Sequence, residues 1–130
     1  MVKRVLFVCV HNSGRSQMAA AFAKALGRGR VQAESAGTMP SPHVNTLVVE
    51  AMKEKGIDIS RNTPKLLTQE MADRADRIIT MGCSVEEACP ALFLPVEDWG
   101  LDDPEGKPMA EVRRIRDVIE GKVKELLAGL

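Results

Sequence analysis

After Lys3 and Arg4 the chain runs apolar from Val5 to Val10 without a polar interruption. A short, Val-rich run of that kind predicts a strand buried on both faces, as in a parallel sheet. Polar residues follow at 11–14. Met18, Phe22, Ala25 and Leu26 then fall on one helical face, with Gly27 as the predicted stop. The first unit is therefore strand, tight loop, helix. Residues 31–36 (VQAESA) predict a second strand, closed by Gly37. Ser41 and Pro42 suit the N-cap and first position of a second helix, with the stripe Val44, Leu47, Val48, Ala51 and Met52 and a stop at Gly56. Residues 57–63 read as a loop, 68–74 as a short helix and 77–81 (RIITM) as a third strand ending at Gly82. A short helical or looped piece at 84–88 separates Cys83 from Cys89. Residues 91–96 contain a fourth strand, 98–108 are rich in turn formers, and Val112, Ile115, Ile119, Val123 and Leu126 mark a last amphipathic helix.

Strands alternating with helices predict an α/β fold: one domain over residues 1–130, three layers, with a four-stranded parallel sheet flanked by helices. No internal repeat and no long linker interrupts it. Ligands of such sheets bind beyond the carboxyl ends of the strands. The loops of interest are those after Val10, Ala36, Met81 and Val96.

Composition narrows the function classes. The chain has 130 residues, and its 18 Lys and Arg balance its 18 Asp and Glu. A neutral chain without a concentrated basic patch is not drawn to nucleic acid or to a membrane surface. The apolar run after Lys3 and Arg4 is too short for a signal peptide core or a membrane span, which places the expected location in the cytoplasm. Three cysteines are an odd number for a disulfide framework, and that compartment disfavours one. Free thiols are the default, either reactive or simply small buried apolar residues.

The segment Cys9-Val10-His11-Asn12-Ser13-Gly14-Arg15-Ser16 carries the clearest chemistry. A cysteine ends the buried strand, five residues intervene, and Arg15 and Ser16 open the helix. A tight loop into a helix turns its backbone N–H groups inward and makes a concave anion site. Gly14 gives that loop backbone freedom. Arg15 can grip two oxygens of a tetrahedral anion in a fork. The same positive field favours the thiolate of Cys9, and Ser16 can hydrogen-bond to it. The plain alternative is a core cysteine at a strand end and a surface arginine. A nucleotide-binding loop of the Gly-x-x-x-x-Gly-Lys type is excluded, because the second Gly and the Lys are missing.

These residues resemble the signature loop of the low-molecular-weight protein tyrosine phosphatases and their relatives, the thioredoxin-coupled arsenate reductases. The run from Asn12 through Ser13, Gly14, Arg15, Ser16, Gln17 and Met18 to Ala19 is most similar to the reductases, as is Glu34-Ser35-Ala36-Gly37-Thr38. The resemblance extends from Val5 to about Val118. It implies a low-molecular-weight phosphatase-like fold and an oxyanion site formed by Val10, His11, Asn12, Ser13, Gly14, Arg15 and Ser16. It also implies that Asp103, in Asp102-Asp103-Pro104, is the general acid on a late loop, since a leaving oxygen needs a proton. Without the resemblance, that segment is an ordinary turn. Trp99 reads as a packing anchor for the loop, and His11 and His43 as outward-facing side chains.

Cys83 and Cys89 separate the two branches. In the reductases two further cysteines occupy this region. The implied route runs from Cys9 to Cys83 to Cys89, converts arsenate to arsenite, and ends at a disulfide that thioredoxin or a similar dithiol reduces. If 83–89 were one helix, the two cysteines would stand roughly 9 Å apart along its axis and face different sides. A disulfide needs Cα atoms within about 7 Å, so the segment is expected to rearrange with redox state. The alternatives are two incidental buried cysteines, or a zinc site for which the Cys83–Cys89 spacing is wide.

Phosphate and sulfate are the expected mimics of arsenate, a monomer is the expected state, and no cofactor or metal is expected. Some reductases of this kind bind potassium beside the cradle through an Asn and acidic side chains. Asn12 and Ser35 match, but the acidic positions hold Ala20 and Lys65. Phosphatases of this fold usually follow their Asp-Pro with tyrosines. This chain has no Tyr and carries Glu105-Gly106 there, which counts against a protein phosphatase using Cys9, Arg15 and Asp103. A non-enzymatic anion or redox sensor is a third reading with little support in the motifs.

Overall fold

The computed structural model describes residues 2–82 and 96–130. The expected positions of Cys83, Cys89, the 84–88 piece and the start of the fourth strand lie outside the described residues. The elements are β1 (Lys3–Cys9), α1 (Arg15–Gly27), β2 (Val31–Gly37), α2 (Thr46–Lys53), α3 (Gln69–Arg74), β3 (Arg77–Thr80), β4 (Val96–Asp98) and α4 (Met109–Ala128). They form one four-stranded sheet in the order β2-β1-β3-β4. All three pairings are parallel.

The apolar run of β1 is continuous because both of its faces are covered. Val5, Phe7 and Cys9 face a core shared with α1, α2 and α4. Leu6 and Val8 face Ala36, Met71, Ala72 and Ile78, under α3. These are the three layers. The chain leaves β1 for β2 on one side and returns to β3 on the other, so the end of β1 lies at the switch point of the sheet. Ligands collect at such points, and Cys9 is the residue there.

Four local expectations need correction. Helix α2 is capped by Asn45, whose side chain accepts from the Leu47 N–H, and not by Ser41. The Ser41 N–H donates to the His11 carbonyl and the Asn45 N–H to the Ser13 carbonyl. Residues 41–45 are thereby tied to a loop distant in sequence, which overrides the local Ser-Pro signal. Strand β4 continues to Asp98, because it pairs with β3 as far as Thr80↔Asp98. Ala25 is exposed rather than part of the buried stripe of α1. Arg28, not Gly27, takes the left-handed C-cap conformation. A Cβ on Gly27 would lie 2.6 Å from Val31 Cγ2, so this glycine serves close packing.

Helices α2 and α4 are clamped by Glu54. Arg113 and Arg116 both donate to its carboxylate, and the buried Arg116 also donates to the Ala51 carbonyl. Arg113 first and Arg116 second pull the Glu54 carboxyl down from 4.5 to about 2. A carboxylate held lower in the folded chain than in the unfolded one stabilises the fold above its unfolded pKa. That contribution is lost as pH falls through the folded value. Melting temperature should therefore decline less steeply in Glu54→Gln than in the parent between about pH 5 and pH 2. Parallel slopes would show that the clamp contributes nothing. The group is exposed, so the effect is modest. Among the described residues no helix is long and apolar enough to cross a membrane.

Candidate active site

Residues 10–14 join the end of β1 to the start of α1, and their backbone polarity is sorted by tertiary contacts. The carbonyls of Cys9, Val10, His11 and Ser13 accept hydrogen bonds from the N–H groups of Thr38, Met39, Ser41 and Asn45. The loop thus turns its carbonyls outward to the segment after β2. Gly37 permits this approach, because a Cβ there would meet the Val10 carbonyl at 2.5 Å and the Asn12 nitrogen at 2.9 Å. The N–H groups of Ser13, Gly14, Arg15 and Ser16 have no acceptor among the described residues. Gly14, Arg15 and Ser16 are buried. Buried N–H groups without acceptors are costly. Converging at a helix N-terminus, they define a site for an anion.

Asn12 organises the loop from behind. It is fully buried and adopts φ 50°, which Asn tolerates. The Lys65 N–H donates to its Oδ1 at 2.8 Å, which fixes which way the amide faces. Its Nδ2 then donates to Ser16 Oγ at 2.7 Å. Ser16 Oγ lies 2.9 Å from Cys9 Sγ. Having accepted from Asn12, Ser16 has its own proton free for the sulfur. The Asn12 N–H also donates to Cys9 Sγ, at 3.1 Å. Two donors thus point at one sulfur, the arrangement that suits a thiolate. Gln17 donates to both Asn12 oxygens and accepts from Asn62.

Arg15 is buried, and among the described residues only one of its terminal nitrogens is engaged by carbonyls. Nη1 donates to the carbonyls of Met81 at 2.7 Å and Leu101 at 2.8 Å. Nε and Nη2 remain available to fork onto two oxygens of a bound anion. Gly82 makes this seat possible. Its φ is +99°, and a Cβ would lie 2.8 and 2.9 Å from the Leu101 oxygen and nitrogen. Asp98 Oδ1 accepts from the Thr80 hydroxyl and the Gly82 N–H, tying the end of β3 to β4.

The loop after β4 brings the acid residue over this cradle. Asp103 Oδ2 is 3.7 Å from Arg15 Nη2, with the Asp103 side chain about half exposed. The next residue, Pro104, lies against Gly14, where a Cβ would be 2.8 Å from Pro104 Cγ. Trp99 packs on Phe7 with ring centroids 5.8 Å apart, anchoring the start of the loop. His11 faces the rim. Its Nδ1 lies 3.1 Å from the Met39 carbonyl, and its Nε2 is 3.9 Å from Glu105 Oε2. His43 is exposed.

Of the site residues read from the sequence, Cys9, residues 10–16 and Asp103 converge here, and Cys83 and Cys89 lie outside the described residues. Sequence reasoning missed Gln17, Asn62, Gly82, Asp98 and the carbonyls of Met81 and Leu101. Only the left-handed glycine at 82, next to a predicted strand end, carried a local signal. The residues also fail to fit a potassium ion. Such an ion needs several oxygen ligands, yet Asn12 Oδ1 already accepts two hydrogen bonds, position 20 offers a methyl group and position 65 an ammonium.

The comparisons agree with this geometry. Residues 4–130 match the family model described as low molecular weight phosphotyrosine protein phosphatase. Arsenate reductase 2 of Staphylococcus epidermidis is 40% identical over 124 residues, covering 94% of each chain. A solved structure titled "An arsenate reductase in the phosphate binding state" superposes with TM-score 0.85 at 38% identity, covering 98% of both chains. A thioredoxin-dependent arsenate reductase of Corynebacterium glutamicum gives TM-score 0.83 at 37% identity, over 98% of this chain and 61% of that one. With a nucleophile loop of this build and a match along nearly its whole length, the chain belongs to the low molecular weight phosphotyrosine protein phosphatase family.

Proposed function

We propose that the chain reduces arsenate to arsenite, with Cys9 as the nucleophile. The observation that carries this reading is the ring of acceptor-free N–H groups beside a sulfur that already faces two donors. The ring binds the anion's oxygens, Arg15 grips two of them, and the sulfur faces the central atom. The Cys9 thiolate attacks arsenic, an As–O bond breaks, and Asp103 gives its proton to the departing oxygen, which leaves as water. Cys83 then attacks the Cys9 sulfur. The S–As electron pair stays on arsenic, arsenic(V) becomes arsenic(III), and a Cys9–Cys83 disulfide forms. Cys89 attacks Cys83 and releases Cys9 as thiolate. A dithiol of the thioredoxin kind reduces the Cys83–Cys89 disulfide. The resemblance of this chain to reductases, one of them thioredoxin-dependent, supports the relay. Such a relay belongs in a reducing compartment, the cytoplasm, and a monomer suffices for it.

The second reading is phosphatase chemistry, because phosphate is nearly isosteric with arsenate and the family name is that of a phosphatase. The cysteines decide. With arsenate, thioredoxin, its reductase and NADPH, the parent should consume NADPH continuously. Cys83→Ser and Cys89→Ser should not sustain consumption, and both should keep any hydrolysis of an aryl phosphate. A parent that hydrolyses the aryl phosphate but consumes no NADPH with arsenate would remove the relay and leave a phosphatase.

A further inference from the structure

Beside Gln17, behind the cradle, lies an open hollow of about 590 Å³. Its floor is small, formed by Ala20 and Ala21 of α1, and its rim carries Lys24, Arg61 and Lys65 against the single carboxylate of Asp58. Lys24, Arg61 and Lys65 have no ion pair among the described residues. Asp58 is occupied in its own turn, accepting from the Ser60 N–H. The wall nearest the active site is polar, with Ser35, Gln17 and Asn62.

We infer that this hollow is a second anion site, which takes a phosphate-class oxyanion in the place where a cation does not fit. Three cations around a concave, polar-walled space attract an anion and offer charge-assisted hydrogen bonds, with Arg61 able to supply a fork. The same three charges repel a metal ion. The site is wired to the cradle. Asn62 donates to Gln17, Gln17 donates to Asn12, and the Lys65 N–H donates to Asn12 Oδ1. Asn12 in turn sets the hydrogen bonds on Cys9. An oxyanion gripped by Arg61 and Lys65 therefore braces, from behind, the residue that orients the nucleophile loop. This inference does not depend on which anion Cys9 attacks.

Isothermal titration calorimetry of the reduced full chain with inorganic phosphate tests it. The parent should bind two phosphates per chain, one in the cradle and one in the hollow. Arg61→Met/Lys65→Met should weaken the second site at least about tenfold, as expected for lost charge-assisted bonds, and weaken the first by a smaller factor. Lys24→Met, a single exposed change, should weaken the same site by less. Glycerol phosphate run in parallel identifies the source: equal affinity assigns the hollow to organic phosphates, and preference for inorganic phosphate assigns it to the free ion. A parent in which no bound phosphate is weakened by Arg61→Met/Lys65→Met would overturn the proposal. Loss of cradle binding alone would strike the reductase reading and leave the hollow intact.

Discussion

Cys9→Ser should abolish arsenate turnover and leave oxyanion binding in place. The cradle's N–H groups belong to the backbone of residues 13–16, and their orientation is fixed by the contacts of residues 38–45. None of these contacts involves the Cys9 sulfur, so the anion site should survive the exchange. The sulfur loses two partners, Ser16 Oγ at 2.9 Å and the Asn12 N–H at 3.1 Å, and a serine hydroxyl can accept both. A hydroxyl so placed is a far weaker nucleophile than a thiolate, and it can form no disulfide. Loss of a nucleophile costs on the order of 10⁴-fold or more in kcat. Phosphate titration and NADPH-coupled turnover, measured on the same preparation, separate the two effects. Turnover within tenfold of the parent would mean that another group attacks arsenic.

Arg15→Lys is the second large effect, although charge is conserved. The guanidinium does two things at once. Nη1 is seated by the Met81 and Leu101 carbonyls, and Nε and Nη2 are left for the anion. An ammonium is one nitrogen, so it can satisfy the carbonyls or reach the anion but not bridge both with the same geometry. We expect kcat/KM for arsenate to fall by roughly 10²–10³-fold, the usual result of removing a preorganised transition-state contact. We also expect stability to fall by about 1–3 kcal/mol if either buried carbonyl is left without a donor. Steady-state kinetics and thermal unfolding read these separately. An unchanged kcat/KM would show that the backbone N–H groups alone hold the oxyanion.

The parts of the site that the sequence made legible are those written in consecutive residues. Cys9, Gly14, Arg15 and Ser16 lie within one strand-loop-helix unit, and the apolar run of β1 announces that unit. The sheet was legible for the same reason, since each strand carries its own pattern. What supports the site was not legible, because its chemistry is anonymous. Arg15 is seated by two main-chain carbonyls, which any residues would supply. Asp98 looked like a turn former because its real partners, Thr80 and the Gly82 N–H, are set by strand pairing. Ser41 and Pro42 looked like a helix start because their locally strong signal competes with hydrogen bonds to His11 and Ser13, a loop about thirty residues earlier. The hollow behind the cradle was invisible, since its cations come from α1 and from the segment between α2 and α3.

The contact of Pro104 with Gly14 fixes a spacing. Asp103 and the Cys9 sulfur reside on different arms of the chain, and the gap between those arms is closed where one residue has no side chain. Any substituent at position 14 acts as a shim, holding the Asp103 arm outward by the width of the added atoms. The smallest amino acid in the loop after β1 thus determines how near the Asp103 carboxyl can stand to an anion in the cradle.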